Sequence, residues 1–128
     1  MVRHVLKKEK RVEDIKLFLT DIDGVLTDAG MYYTENGDEL KKFNTLDGKA
    51  FELLRNAGIK TGIITSEKTR IVERRAKKIK TNYLYQGIKD KLDIAKEICR
   101  KENITLKQVA YIGDDGVVRE FVEIILNQ

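Results

Sequence analysis

The sequence predicts an α/β domain built on a parallel sheet flanked by helices. Short apolar runs at 15–19, 60–65, 83–85 and 109–112 alternate with charged segments of helical periodicity. Three of these runs end in polar residues of different kinds: Asp21 and Asp23, Thr65 and Ser66, and Asp114 and Asp115. In a parallel sheet with right-handed crossovers those ends lie on one side, which is where open α/β sheets bind ligands.

The first run reads IKLFLTDIDGVLTD from Ile15 to Asp28. A buried strand that ends in two carboxylates is costly unless something uses the charge, so Asp21 and Asp23 are the expected reaction centre. Residues 1–14 are charged with sparse apolar positions (Val2, Val5, Val12) and are expected to form a short helix or an arm. After Asp28, two short β-prone runs flank Asn36-Gly37, a strong hairpin signal. That hairpin leaves the carboxyl end of the first strand, either as a small flap over the site or as a plain surface hairpin.

Asp47-Gly48 opens a helix with Phe51, Leu54 and Ala57 at helical spacing and Gly58 as its stop. A second helix is expected over 67–78, with Ile71, Val72 and Ala76 as its apolar stripe. Asp90-Lys91 opens a third, with Leu92, Ala95, Ile98 and Cys99 inward, and Thr105 caps one turn before the strand at 109–112. The closing segment 116–126 reads as an apolar-rich helix.

At 128 residues the chain is expected to be one domain, and 41% hydrophobic with 36% charged residues suits a globular protein. No apolar run approaches the roughly 20 residues of a membrane span, and the N-terminus lacks a secretory apolar region. A cytoplasmic protein without a membrane partner is therefore expected. The single cysteine, Cys99, excludes an internal disulfide and reads as core packing. His4 is the only histidine, so any metal must be held mainly by oxygen ligands. The net charge of +4 fits solvated helix faces and some attraction for a phosphorylated substrate. Without an aromatic-interleaved basic motif, nucleic-acid binding is not expected.

Carboxylates from the first and last strands, with no imidazole or thiol nearby, suit Mg²⁺, which favours a few carboxylates and a substrate phosphate. Thr65 offers a hydroxyl, and the N–H groups that follow it open a helix, which suits an anion. Lys91 stands in the first turn of its helix, where the dipole disfavours a cation, unless it is aimed at phosphate. On this reading Asp21 attacks phosphorus to form an aspartyl phosphate while Mg²⁺ and Lys91 neutralise the non-bridging oxygens. Asp23 handles the proton of the leaving alcohol and then of the hydrolytic water, and Gly24 permits the sharp turn.

These residues resemble the haloacid dehalogenase superfamily of phosphohydrolases. DIDGVLTD looks like its first motif, Thr65 its second, Lys91 its third and GDD at 113–115 its fourth. With the hairpin, IIT, YQGIKDKL and AYIGDD, the chain from Ile15 onward resembles the small capless branch acting on sugar-acid phosphates. The resemblance implies a Rossmann-like fold with a small β-hairpin flap and no large cap. It also implies Asp21 as nucleophile and metal ligand, Asp23 as acid/base lending its carbonyl to Mg²⁺, Thr65 and Lys91 as phosphate ligands, and Asp114 as metal ligand with Asp115 beside it.

After Thr65 the octulosonate 8-phosphate enzymes carry Gly-Arg, whereas this chain reads Ser66-Glu67-Lys68-Thr69. That looks more like the nonulosonate 9-phosphate type, with Glu67 and Lys78 reaching the sugar, although an acid also suits a helix start. The family's fourth motif continues into a further helix and strands, but here GDD runs directly into GVVREFVEIIL, which looks like the family's C-terminal tail. The expected domain therefore covers residues 1–128, shortened between Asp115 and Gly116. In the family that tail approaches the neighbouring site of a homotetramer, which would bring Arg119 to the substrate. The expected function is thus a Mg²⁺-dependent phosphatase for a sugar-acid phosphate. A non-catalytic oligomerisation or regulatory module linked to sugar-nucleotide synthesis is the alternative, and phosphotransfer on the same motifs is a third possibility.

Overall fold

The protein is described from a computed structural model, which describes residues 4–5, 14–22, 25–27, 30, 32–43 and 45–113. Among the described residues, seven strands and three α-helices follow in the order β1 (His4–Val5), β2 (Leu17–Thr20), β3 (Tyr32–Tyr33), β4 (Glu39–Leu40), α1 (Thr45–Asn56), β5 (Lys60–Ile64), α2 (Arg70–Ile79), β6 (Tyr83–Tyr85), α3 (Lys91–Glu102) and β7 (Val109–Gly113). The main sheet has the order β1-β7-β2-β5-β6, and β7, β2, β5 and β6 run parallel. The expected α/β architecture is therefore present, with the first long strand at the middle of the sheet. Residues 4–5 extend the sheet as an antiparallel strand, His4 opposite Gly113 and Val5 opposite Ile112, so this part of the N-terminal stretch is an arm and not a helix.

Strand alternation sends side chains to two cores. Leu17, Leu19, Ile64, Val109 and Tyr111 pack with Leu92, Ala95, Ile98 and Cys99 of α3. Ile63, together with Phe18 and Ile112, packs on the other side against Phe51 of α1 and Val72, Ala76 and Ile79 of α2. Gly62 lets the strands sit close, because a Cβ there would lie 2.7 Å from Leu19 Cδ2. Cys99 is buried as expected, and burial pushes its thiol up to about 11.

The hairpin forms where Asn36-Gly37 predicts it, but with a three-residue loop. Thr34 accepts from the Gly37 N–H and donates to the Asp38 carbonyl, and Gly37 takes the left-handed conformation at φ 87°. Thr27 and Phe43 form a bridge at the hairpin's base, and the Arg75 guanidinium of α2 lies 5.5 Å from the centre of the Phe43 ring. The second helix begins at Arg70, three residues later than expected. Thr69 accepts from the Val72 N–H and caps it there, leaving 66–68 as a loop. Among the described residues, no helix is long and apolar enough to cross a membrane.

Candidate active site

The site is built at the carboxyl end of the central strand. β2 is paired on both edges, by β5 and by β7, and the Asp21 N–H continues the ladder by donating to the Ile112 carbonyl at 3.0 Å. Asp21 thus stands at the end of the most enclosed strand, with its side chain 8% exposed. A buried carboxylate requires partners, and two converge on one oxygen. Lys91 Nζ donates to Asp21 Oδ1 at 2.9 Å, and the Tyr111 hydroxyl donates to the same atom at 2.5 Å.

The Lys91 contact resolves the anomaly of its position. Asp90 caps α3 by accepting from the Asp93 N–H, which fixes the first turn, and the Lys91 side chain crosses from there to the end of β2. A cation at a helix start is held here by a buried anion rather than by solvent. Gly113, two residues beyond Tyr111 on the same face of β7, completes this wall. A Cβ at 113 would run into the Tyr111 ring and lie 2.9 Å from Asp21 Oδ2. Glycine at this position keeps that side of the carboxylate open.

Thr65 directly follows β5, next to β2, and is buried. Its backbone is tied to the end of β6, with its N–H donating to the Tyr85 carbonyl and its own carbonyl accepting from the Ile88 N–H. The Thr65 hydroxyl accepts from the Glu67 N–H at 3.3 Å, which curls the chain into the 66–68 loop. Glu67, expected at a helix start, lies in this loop and is ion-paired at 2.5 Å with Lys41, which follows β4 of the hairpin. The Lys41 side chain is 1% exposed and that of Glu67 is 44% exposed. The hairpin is therefore tied to the strand-end loop beside Thr65.

Lys78 is exposed on α2 and lines a hollow of about 420 Å³ with Gly48, Glu52, Arg55, Arg75, Ile79 and Lys80. Asp21, Thr65 and Lys91 are not among its lining residues. Asp23, Gly24, Asp114, Asp115 and Arg119 lie outside the described residues. Among the described residues no three His, Cys, Asp or Glu side chains converge as metal ligands. Sequence reasoning missed Tyr111 and Lys41. Tyr111 carries one usable signal, because a phenol in an apolar strand needs a buried hydrogen-bond partner that phenylalanine would not.

No protein-family model matches the chain. Curated relatives do: it is 39% identical over 105 residues to the 3-deoxy-D-manno-octulosonate 8-phosphate phosphatase of Escherichia coli, covering 82% of this chain and 56% of that enzyme. It is 32% identical over 109 residues to the enzyme of the same name from Haemophilus influenzae, covering 85% and 61%. The chain thus spans little more than half the length of the curated relatives it matches. Among solved structures, the 3-deoxy-D-manno-octulosonate 8-phosphate phosphatase of Moraxella catarrhalis, in complex with magnesium, phosphate and KDO, superposes with a TM-score of 0.73 at 36% identity, covering 77% of this chain and 56% of that one. A hydrolase of the haloacid dehalogenase superfamily from Legionella pneumophila gives a TM-score of 0.74 at 25% identity, covering 91% and 84%. By sequence the chain is similar to the octulosonate phosphatases, and its fold is that of the haloacid dehalogenase superfamily.

Proposed function

We propose that this chain is a Mg²⁺-dependent phosphomonoester hydrolase acting on a sugar-acid phosphate through an aspartyl phosphate on Asp21. The observation that carries the reading is the buried Asp21 carboxylate at the end of the central parallel strand, held by Lys91 from a helix start 70 residues away. Few structural needs explain a carboxylate buried at a ligand-binding strand end.

The donors suit a hard cation. Asp21 offers carboxylate oxygen, and Gly113 leaves open the space beside its Oδ2 that a Cβ would fill. Asp21, the Asp23 carbonyl, Asp114 and Asp115 would hold Mg²⁺, which when bound supplies neutralising charge to the phosphate oxygens. Asp21 attacks phosphorus in line with the leaving alcohol. Lys91, already against the nucleophile, offsets the repulsion between carboxylate and phosphate. Thr65, whose hydroxyl sits at the head of the 66–68 loop, binds a phosphate oxygen. Asp23 gives a proton to the departing alcohol and takes one from the hydrolytic water.

Of the two substrate classes left open by the sequence, the eight-carbon octulosonate 8-phosphate is the better supported. The relatives matched carry that name, and Glu67, the residue that points to nine carbons, is engaged by Lys41. Contact of Arg119 with the sugar, a homotetramer and a cytoplasmic setting complete the proposal, whereas the Lys41 pair of Glu67 and the separate hollow of Lys78 set those two side chains apart from it.

Phosphate release from octulosonate 8-phosphate and nonulosonate 9-phosphate with Mg²⁺ tests it. The chain should turn over the eight-carbon substrate faster, and Asp21→Asn should lower kcat about 1,000-fold or more. Full activity in Asp21→Asn removes the nucleophile. Turnover only after restoring a segment between Asp115 and Gly116 assigns this chain the non-catalytic module role instead.

A further inference from the structure

We infer that Tyr111 is a positioning residue for Asp21, fixing the carboxylate in its attacking orientation while Lys91 is shared with the phosphate; this rests on the function proposed above. The phenol is fully buried, and its hydroxyl donates to Asp21 Oδ1 at 2.5 Å across 90 residues of sequence. Packing alone does not call for that hydroxyl. The ring sits among Leu17, Leu19, Leu92, Ala95 and Ile98, where phenylalanine would fill the same volume.

The two donors on Oδ1 differ in stiffness. Lys91 reaches Asp21 through a four-carbon stem and carries the charge that a phosphate dianion attracts. When substrate binds, its oxygens compete with Oδ1 for that ammonium. The Tyr111 ring is held rigidly by the core, in room that the missing side chain of Gly113 leaves for it, since a Cβ there would run into the ring. The phenol bond therefore persists when the Lys91 bond is shared. It holds the carboxylate plane during attack, when a small misplacement is costly in rate.

The test compares wild type, Tyr111→Phe and Tyr111→Leu by crystallography, by thermal melting and by kinetics on octulosonate 8-phosphate with Mg²⁺. Tyr111→Phe should melt lower by no more than the several degrees that one hydrogen bond to a buried charge is worth, and show a rotated or disordered Asp21 carboxylate. Its kcat should fall about 10- to 100-fold, the effect of losing one hydrogen bond to a charged group. KM should stay within about threefold, because the bond matters to orientation more than to binding. Tyr111→Leu, which also loses packing, should melt lower. An Asp21 side chain that superimposes on wild type in Tyr111→Phe overturns the inference, as does an unchanged kcat. If wild type turns over no substrate, the proposed function falls, and the Asp21 orientation in the Tyr111→Phe crystal still decides whether Tyr111 positions it.

Discussion

Replacing Gly113 by alanine should damage stability and turnover together. The new Cβ would enter the Tyr111 ring and lie 2.9 Å from Asp21 Oδ2, closer than real Cβ contacts come. Neither neighbour can yield cheaply. Tyr111 is fully buried in the core under α3, and Asp21 is fixed by its N–H bond to Ile112 and by two donors on Oδ1. Overpacking of this kind costs about 1–3 kcal/mol. For a chain of this length that corresponds to a fall of about 4–11 °C in the melting midpoint. The comparison that isolates the site is Gly62→Ala, whose Cβ would lie 2.7 Å from Leu19 Cδ2 and 3.3 Å from Tyr83 Cβ, within the sheet and away from the carboxylate. Both variants should melt lower by circular dichroism. At a temperature where both are folded, Gly62→Ala should keep near-native turnover while Gly113→Ala loses most of it. A Gly113→Ala protein that melts within about 1 °C of wild type would refute the packing argument. Equal turnover in the two variants would refute the link from Gly113 to the carboxylate.

Two further predictions concern the periphery. Tyr83 donates to Glu102, and that bond, with burial behind it, pushes the phenol up to about 12. The folded state holds this proton more tightly than the unfolded chain, whose tyrosine titrates near about 10. The stabilisation is therefore full below about pH 10 and is lost as the pH rises to about 12. Urea melts across that range should show a flatter alkaline limb for Tyr83→Phe than for wild type, and equal slopes would exclude the contribution. Lys41→Met keeps the buried stem but removes the ion pair to Glu67, which is half-exposed and rehydrates, so the global cost should be about 1 kcal/mol or less. Amide exchange should nevertheless quicken at 39–41 and 66–68 relative to β2, and unchanged exchange there would show that the pair does not tie the hairpin down.

Much of the site is legible in the sequence because its residues conflict with their local surroundings. Asp21 is a charge at the end of an apolar run, and Lys91 is a cation where a helix prefers anions. Each conflict is resolved by the other, through a contact that no local pattern displays. Tyr111 carries no such conflict. Its ring suits the buried alternation of VAYI, and its hydroxyl finds Asp21 only through the parallel pairing of β7 with β2. Lys41 is hidden for the opposite reason, since a lysine after a surface hairpin reads as solvated until the fold buries it against Glu67. The start of α2 is displaced because Glu67 and Lys68 suit a helix turn, whereas the Thr69 cap decides where the turn begins. The two-residue strand β1 depends on a partner at the far end of the chain, and its own charged surroundings give no strand signal.

The contacts that join the hairpin to the body include the Thr27–Phe43 bridge, the Arg75–Phe43 stack and the Lys41–Glu67 pair, while β2 is laddered along both edges. The free energies needed to open these parts therefore differ. The amides of β2 should exchange at the rate set by global unfolding, while the hairpin should open in a smaller step. On the proposed function, that smaller step is the one that would admit a substrate and release a product. The Asp21 carboxylate keeps its place as long as the sheet itself remains folded.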